Sequence, residues 1–162
     1  SFIFSKRDFN EKNKKSNLLT IILILLIPSV LIANYEYRSL KVQKILINDY
    51  ANNTFSLDIK EIEKIEYKLP NLSSNSVPVS TYLSRYYFNK NLFNESIRLL
   101  NYSLIANKYD LMTQELLLKN YIFTNQTNKA YDLIKNLLNK YPNNKNYSEL
   151  FQAISRDLEI KD

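Results

Sequence analysis

Residues 83–100 read LSRYYFNKNLFNESIRLL, and residues 117–134 read LLKNYIFTNQTNKAYDLI. Superimposed at a lag of 34 residues, Leu83 returns as Leu117, Tyr87 as Tyr121, Asn91 as Asn125 and Leu100 as Ile134, and the cation Arg85 returns as Lys119. Asparagine comes next after glycine in its tolerance of a left-handed backbone, so Asn91 and Asn125 mark a turn between two helical patterns in each unit. The spacing predicts helices over 78–89 and 92–107, then over 111–124 and 127–140. A plain helical bundle whose core positions recur is the simpler alternative. The number of matched positions on one lag, both turn residues among them, favours a repeat.

Outward from the repeat the pattern stays helical, and the predicted fold class is all-α. Tyr147, Leu150, Phe151 and Ile154 have helical spacing and predict a capping helix over 145–160. Upstream, residues 70–76 form a polar loop, and Ser76 with Pro78 behind it reads as a helix start, because proline's missing N–H costs nothing in a first turn. Ile59, Ile62 and Ile65 predict a short helix capped by Ser56 or Asp58, and Asn52-Asn53-Thr54 breaks an earlier helix carrying Leu40, Val42, Ile45 and Leu46.

Paired helices at a 34-residue lag resemble the tetratricopeptide repeat. Over residues 77–142, Ser96 and Ala130 fall on the family's small-residue position, Tyr87 and Tyr121 on its aromatic near the end of each first helix, and Pro142 on its closing proline. Lys108 stands at that last position in the first unit, Ser84 and Leu118 replace the family's glycine, and its Trp position is not aromatic. The resemblance implies a short helical-hairpin solenoid with a concave face that binds segments of partner proteins.

A second feature precedes the repeat. Residues 18–33, LLTIILILLIPSVLIA, are uncharged and close to the ~20 apolar residues that cross a hydrocarbon core. Tyr35 and Tyr37 follow as interfacial aromatics, and Pro28 is tolerated in such helices. A spanning helix over 17–35 is favoured over a signal sequence, since Asn34-Tyr35-Glu36-Tyr37 suits a peptidase poorly. Lys6, Arg7, Lys12, Lys14 and Lys15 precede it, and only Arg38, Lys41 and Lys44 follow closely, which predicts a cytoplasmic N-terminal side. The expected organisation is a basic segment 1–16, a membrane helix 17–35, a stalk and linker 36–76, two repeats 77–142 and a capping helix 143–162. The start at Ser1 is expected to reflect trimming or the tail of a longer protein.

Composition excludes whole classes of chemistry. The 162 residues contain no Cys, His, Gly or Trp, so thiol chemistry, disulfides and zinc fingers are ruled out, as are imidazole proton shuttles and glycine-rich phosphate loops. No cofactor and no metal is expected. The net charge of +6 belongs to a chain rich in Asn, Lys, Ile and Tyr, a bias typical of AT-rich coding, and no cluster of basic and aromatic residues suggests nucleic acid. The acidic pairs Glu61/Glu63 and Asp157/Glu159 fall on different sides of a helix and do not form an acid–base pair.

The candidate binding residues lie on the first helices of the repeat: Tyr82, Arg85 and Tyr86 in one unit, Glu115 and Lys119 in the other. Cations beside aromatic rings suit an extended peptide or an anionic group. The alternative is that Arg85 and Lys119 are solvated charges and the tyrosines core residues.

The order of parts is also similar to the C-terminal region of bacterial O-antigen ligase or polymerase-like membrane proteins that carry tetratricopeptide tails. The similarity lies in the stalk Tyr35-Glu36-Tyr37-Arg38-Ser39-Leu40-Lys41, the words Lys68-Leu69-Pro70-Asn71-Leu72-Ser73 and Val77-Pro78-Val79, and Ser84-Arg85-Tyr86-Tyr87 within the repeat. It implies a bacterial inner-membrane protein whose repeats project into the periplasm and whose parent transfers a lipid-linked glycan. The family's catalytic residues lie in an earlier loop, so no residue of this chain takes a catalytic role. A stand-alone, single-span scaffold protein of the envelope is the alternative, and a secreted helical domain with a cleaved leader is the third.

Overall fold

A computed structural model describes residues 2–68 and 71–159, with side chains from Thr20 to Lys68 and from Asn71 to Leu158. The basic side chains from Lys6 to Lys15, the Leu69-Pro70 part of the linker word, and Ile160 of the expected capping helix lie outside these described residues. The described chain is all-helical: α1 (Phe2–Asn52), α2 (Ile59–Ile62), α3 (Val79–Asn89), α4 (Phe93–Ala106), α5 (Leu111–Phe123), α6 (Thr127–Lys140) and α7 (Lys145–Glu159). Among the described residues the only β-type pairing is an isolated bridge between Leu72 and Pro78.

The chain divides into two compact units, one up to Lys41 and one from Val42 onward. In the first, α1 carries the apolar stretch, and it is the one helix among the described residues long and apolar enough to cross a membrane. Its large aliphatic side chains from Ile21 to Ile32 are all exposed, Leu25 at 66 %. A contiguous apolar surface of that kind is ill-suited to water and well-suited to lipid. Pro28 lies inside the helix, and the Ser29 hydroxyl donates to the Leu25 carbonyl at 2.8 Å.

In the second unit the last turns of α1 turn Gln43, Leu46 and Asp49 inward, at i, i+3 and i+6. Leu40, expected on that face, is exposed. Leu46 joins Ile62, Val79, Tyr82, Leu83, Tyr86, Tyr87 and Leu99 in one core cluster. The one-turn helix α2 begins with a reciprocal capping box, in which Asp58 accepts from the Glu61 N–H and Glu61 accepts from the Asp58 N–H. Ser76 does not cap α3. Its backbone is left-handed at φ 64°, and Pro78 occupies the N-cap, where its fixed φ of −58° leads into the helix.

The two hairpins match at the 34-residue lag. Asn91 and Asn125 have φ of 59° and 54°. The N–H of Asn91 bonds to the Phe88 carbonyl and that of Leu92 to Tyr87, and the N–H of Asn125 bonds to Ile122 and that of Gln126 to Tyr121. These are paired Schellman closures, in which a left-handed residue lets the chain satisfy the last carbonyls of one helix and start the next. Each second helix carries a fully buried small residue at the same place in the lag, Ser96 in α4 and Ala130 in α6. Leu83 and Leu117, and Leu100 and Ile134, are likewise buried in pairs.

Successive helices pack in order from α2 to α3, then α4 on α5, α5 on α6 and α6 on α7, and α3 also touches α5. Hydroxyls occupy two of the crossings. Ser103 donates to the Leu99 carbonyl, so Ser80 donates to Ser103 at 2.6 Å between α3 and α4. Thr113 donates to Asp110, the N-cap of α5, so Thr81 donates to Thr113 at 2.5 Å between α3 and α5. The Ser96 hydroxyl has no partner among the described residues.

Two sets of substitutions test this packing by urea denaturation followed by circular dichroism. Asn91→Gly and Asn125→Gly should leave stability unchanged or raise it, whereas the valine variants should lose about 1–2 kcal/mol each. At the helix contacts, Ser96→Ala should be neutral or stabilising by up to about 1 kcal/mol, and Ala130→Leu should cost ~1–3 kcal/mol through overpacking.

Candidate binding site

The five residues singled out in the sequence separate into two groups. Tyr82 and Tyr86 are 1 % and 3 % exposed, so neither presents a binding surface. They project inward from α3, onto the end of α1 and the segments flanking it. Tyr82 packs edge-on against Tyr50 at 5.9 Å, and its hydroxyl is bonded to the Asn75 side chain in the 71–76 loop. Glu115 is also occupied, because it accepts the Tyr147 hydroxyl of α7 at 2.5 Å. Burial and this carboxylate push the Tyr147 phenol well above its ordinary range. These three side chains hold the unit together.

Tyr86 donates to Asp49, a nearly buried carboxylate on the last turn of α1. Asp49 also accepts the N–H and hydroxyl of Ser56, both at 2.7 Å, and the Thr54 hydroxyl at 2.9 Å. Burial alone would raise its pKa. The donors from Tyr86, Ser56 and Thr54 outweigh burial and hold it down at about 2. The same contact and burial push the Tyr86 phenol far up. The segment after α1 is thereby folded back toward α3, aided by Asn53, whose φ of 51° accompanies a third closure of the Schellman type, Thr54 N–H to Asp49 and Asn53 N–H to Tyr50.

Arg85 and Lys119 do come together. Both line one open pocket of about 350 Å³, with Asn53, Phe55, Phe88, Asn89, Asn91, Phe93, Leu116 and Phe123. Arg85 is half-buried. Its guanidinium lies over the Tyr50 ring at 4.7 Å and over Phe55 at 5.3 Å, and donates to Asn53 Oδ1 at 3.2 Å. Burial lowers its pKa, but an arginine stays charged in any protein environment. Its contacts among the described residues include no carboxylate. Lys119 is exposed, and no acidic side chain pairs with it among the described residues.

The apolar wall is a ring cluster. Phe93 and Phe123 stack at 5.7 Å, and Phe88 meets them edge-on at 5.5 and 5.3 Å. Phe123 is 63 % exposed. Tyr50, Asn53, Phe55 and the three phenylalanines were not singled out in the sequence. The Asn52-Asn53-Thr54 break was visible, but its return over Arg85 depends on Asp49, which looks in sequence like a surface acid. The lining combines two cations, three asparagine amides and four phenylalanine rings with Leu116. Among the described residues no group of three or more acidic side chains is placed to hold a metal.

Comparison with family models, with characterised proteins and with solved structures returns no match to this chain.

The Asp49 cluster gives a pH prediction. A carboxylate at about 2 in the folded state and 3.8 when free contributes stability that is complete above pH about 4 and is lost as pH falls toward 2. Asp49→Asn should be less stable than wild type at pH 7 by about 1–3 kcal/mol, because amide protons would face hydroxyl donors. The gap between the two proteins should narrow between pH 4 and 2 in urea melts, and a constant gap would separate Asp49 from the acid dependence.

Proposed function

We propose that this chain is a membrane-anchored module for protein–protein interaction, built of tetratricopeptide-like hairpins, and the non-catalytic tail of an O-antigen ligase-like glycan transferase. On this reading α1 anchors it in the bacterial inner membrane with the basic segment 1–16 in the cytoplasm, and the helical repeats stand in the periplasm. A polypeptide partner docks on the α3–α5 side, and Arg85 and Lys119 supply the charge complementarity.

The observation that carries the docking is the pocket. Two cations related by the 34-residue lag share one concavity with an exposed aromatic wall, and neither forms an ion pair with an acidic side chain among the described residues, the Asp49 carboxylate acting on Arg85 only at longer range. Clustered aromatics with an arginine are the composition that concentrates binding energy at protein interfaces. The exposed aliphatic length of α1 supports the anchor. The assignment to a glycan ligase rests on the similarity in order of parts.

The absence of native cysteine makes single-cysteine mapping clean. In cells with a permeabilised outer membrane, a membrane-impermeant maleimide should label Ile105→Cys, an exposed position at the end of α4. Lys12→Cys should react only after lysis. The reverse pattern would overturn the orientation. A photo-crosslinking residue in place of Phe123 should give a discrete protein adduct that disappears with Arg85→Gln, and no adduct would count against docking at this face.

A further inference from the structure

The pocket is specific in what it offers. It is lined by a guanidinium held by its neighbours, by the ammonium of the exposed Lys119 and by phenylalanine rings. Arg85 is fixed by Tyr50, Phe55 and Asn53, so its fork is pre-organised and loses little freedom on meeting a partner. A half-buried guanidinium has given up water, and Asp49 reaches it only through space and not by a hydrogen bond, so a carboxylate in the pocket would replace that hydration with charge-assisted hydrogen bonds. Phosphate, doubly charged and strongly hydrated, is poorly matched to walls of Phe88, Phe93 and Phe123. A single carboxylate joined directly to an apolar body matches both halves of the site. A volume of about 350 Å³ lies at the small end of ligand pockets, which suits one or two residues rather than a long segment.

In a polypeptide, the place where a carboxylate sits on the same residue as an apolar side chain is the C-terminus. We propose that this pocket captures the carboxyl terminus of a partner protein. The terminal carboxylate lies between Arg85 and Lys119, and the last side chain, apolar or aromatic, packs on the Phe88–Phe93–Phe123 cluster. The inference rests on the reading that the unit docks a polypeptide. It adds which part of the polypeptide is recognised and by which groups. Phe55, whose ring lies 5.3 Å from the guanidinium and which also lines the pocket, helps hold Arg85 there.

The test uses the full chain in lipid nanodiscs and two pools of hexapeptides randomised at every position, one with free carboxyl ends and one amidated. Retained peptides are read by mass spectrometry. The free-acid pool should be retained about tenfold or more over the amidated pool, the difference expected when one charge-assisted contact is removed. Retained sequences should be enriched in Leu, Ile, Phe and Tyr at the last position, and the preference should weaken with salt. Lys119→Gln, at an exposed position, and Arg85→Gln should each reduce free-acid retention about tenfold. Equal retention of both pools, lost in Arg85→Gln, would overturn carboxylate recognition while leaving a peptide groove. Retention of neither pool would overturn both the inference and the docking reading.

Discussion

The chain has no glycine, and three of its helices, α1, α3 and α5, end and turn on an asparagine with a left-handed backbone: Asn53, Asn91 and Asn125. For most residues that conformation costs enough to favour a longer, looser connection, and asparagine's short polar side chain reduces the cost. The closure fixes where the next segment goes. At Asn91 and Asn125 it lays α4 on α3 and α6 on α5, and the small residues Ser96 and Ala130 are fully buried. At Asn53 it sends Thr54, Phe55 and Ser56 back toward α3. The core and the pocket both follow from the same backbone solution, used three times.

The return after α1 would not hold on backbone geometry alone. Asp49 collects hydroxyls from Thr54, Ser56 and Tyr86, which ties the last turn of α1, the segment after it and α3 into one set of hydrogen bonds. Such a cluster stabilises only while every donor and the carboxylate are in place, because a buried unpaired member costs more than the bond contributes. It also explains why Arg85 lies where it does. Asn53 and Phe55 are positioned by that fold-back, and together with Tyr50 they flank the guanidinium without neutralising it.

Much of this was legible in the sequence because backbone periodicity is. Helices expected over 78–89, 92–107, 111–124 and 127–140 lie within about a residue of those observed, since apolar spacing and asparagine turns are local signals. The pairing of Arg85 with Lys119 was also legible, through the lag. The fates of Tyr82, Tyr86 and Glu115 were not. Each sits on a first helix at a position that either face could own, and the decision was made by residues 32 to 37 positions away in sequence, Tyr147 for Glu115 and Asp49 for Tyr86. A tyrosine that reaches a buried partner and one that faces solvent look alike in a sequence. The aromatic wall was missed for a related reason: Phe88, Phe93 and Phe123 belong to three different helices and meet only once the turns have closed.

The repeat is therefore one of backbone placement more than of side-chain chemistry, and its irregularities are informative. Tyr86 and Asn120 occupy the same position in the two units. The first reaches Asp49, but the second is fully buried with Nδ2 bonded to the Leu116 carbonyl and Oδ1 without a partner among the described residues. The first hairpin packs against the end of α1 and against α2, and the second packs against the first hairpin and α7, so the same position meets different neighbours. A position that had to satisfy a neighbouring segment diverged. A cation lines the pocket at 85 and at 119, Arg85 held by Tyr50, Phe55 and Asn53 and Lys119 exposed. Two like charges brought to one concavity repel each other and so weaken the folded state. The rings of Tyr50 and Phe55 and the Asp49 carboxylate offset that cost at Arg85, and Lys119 has no such contact among the described residues.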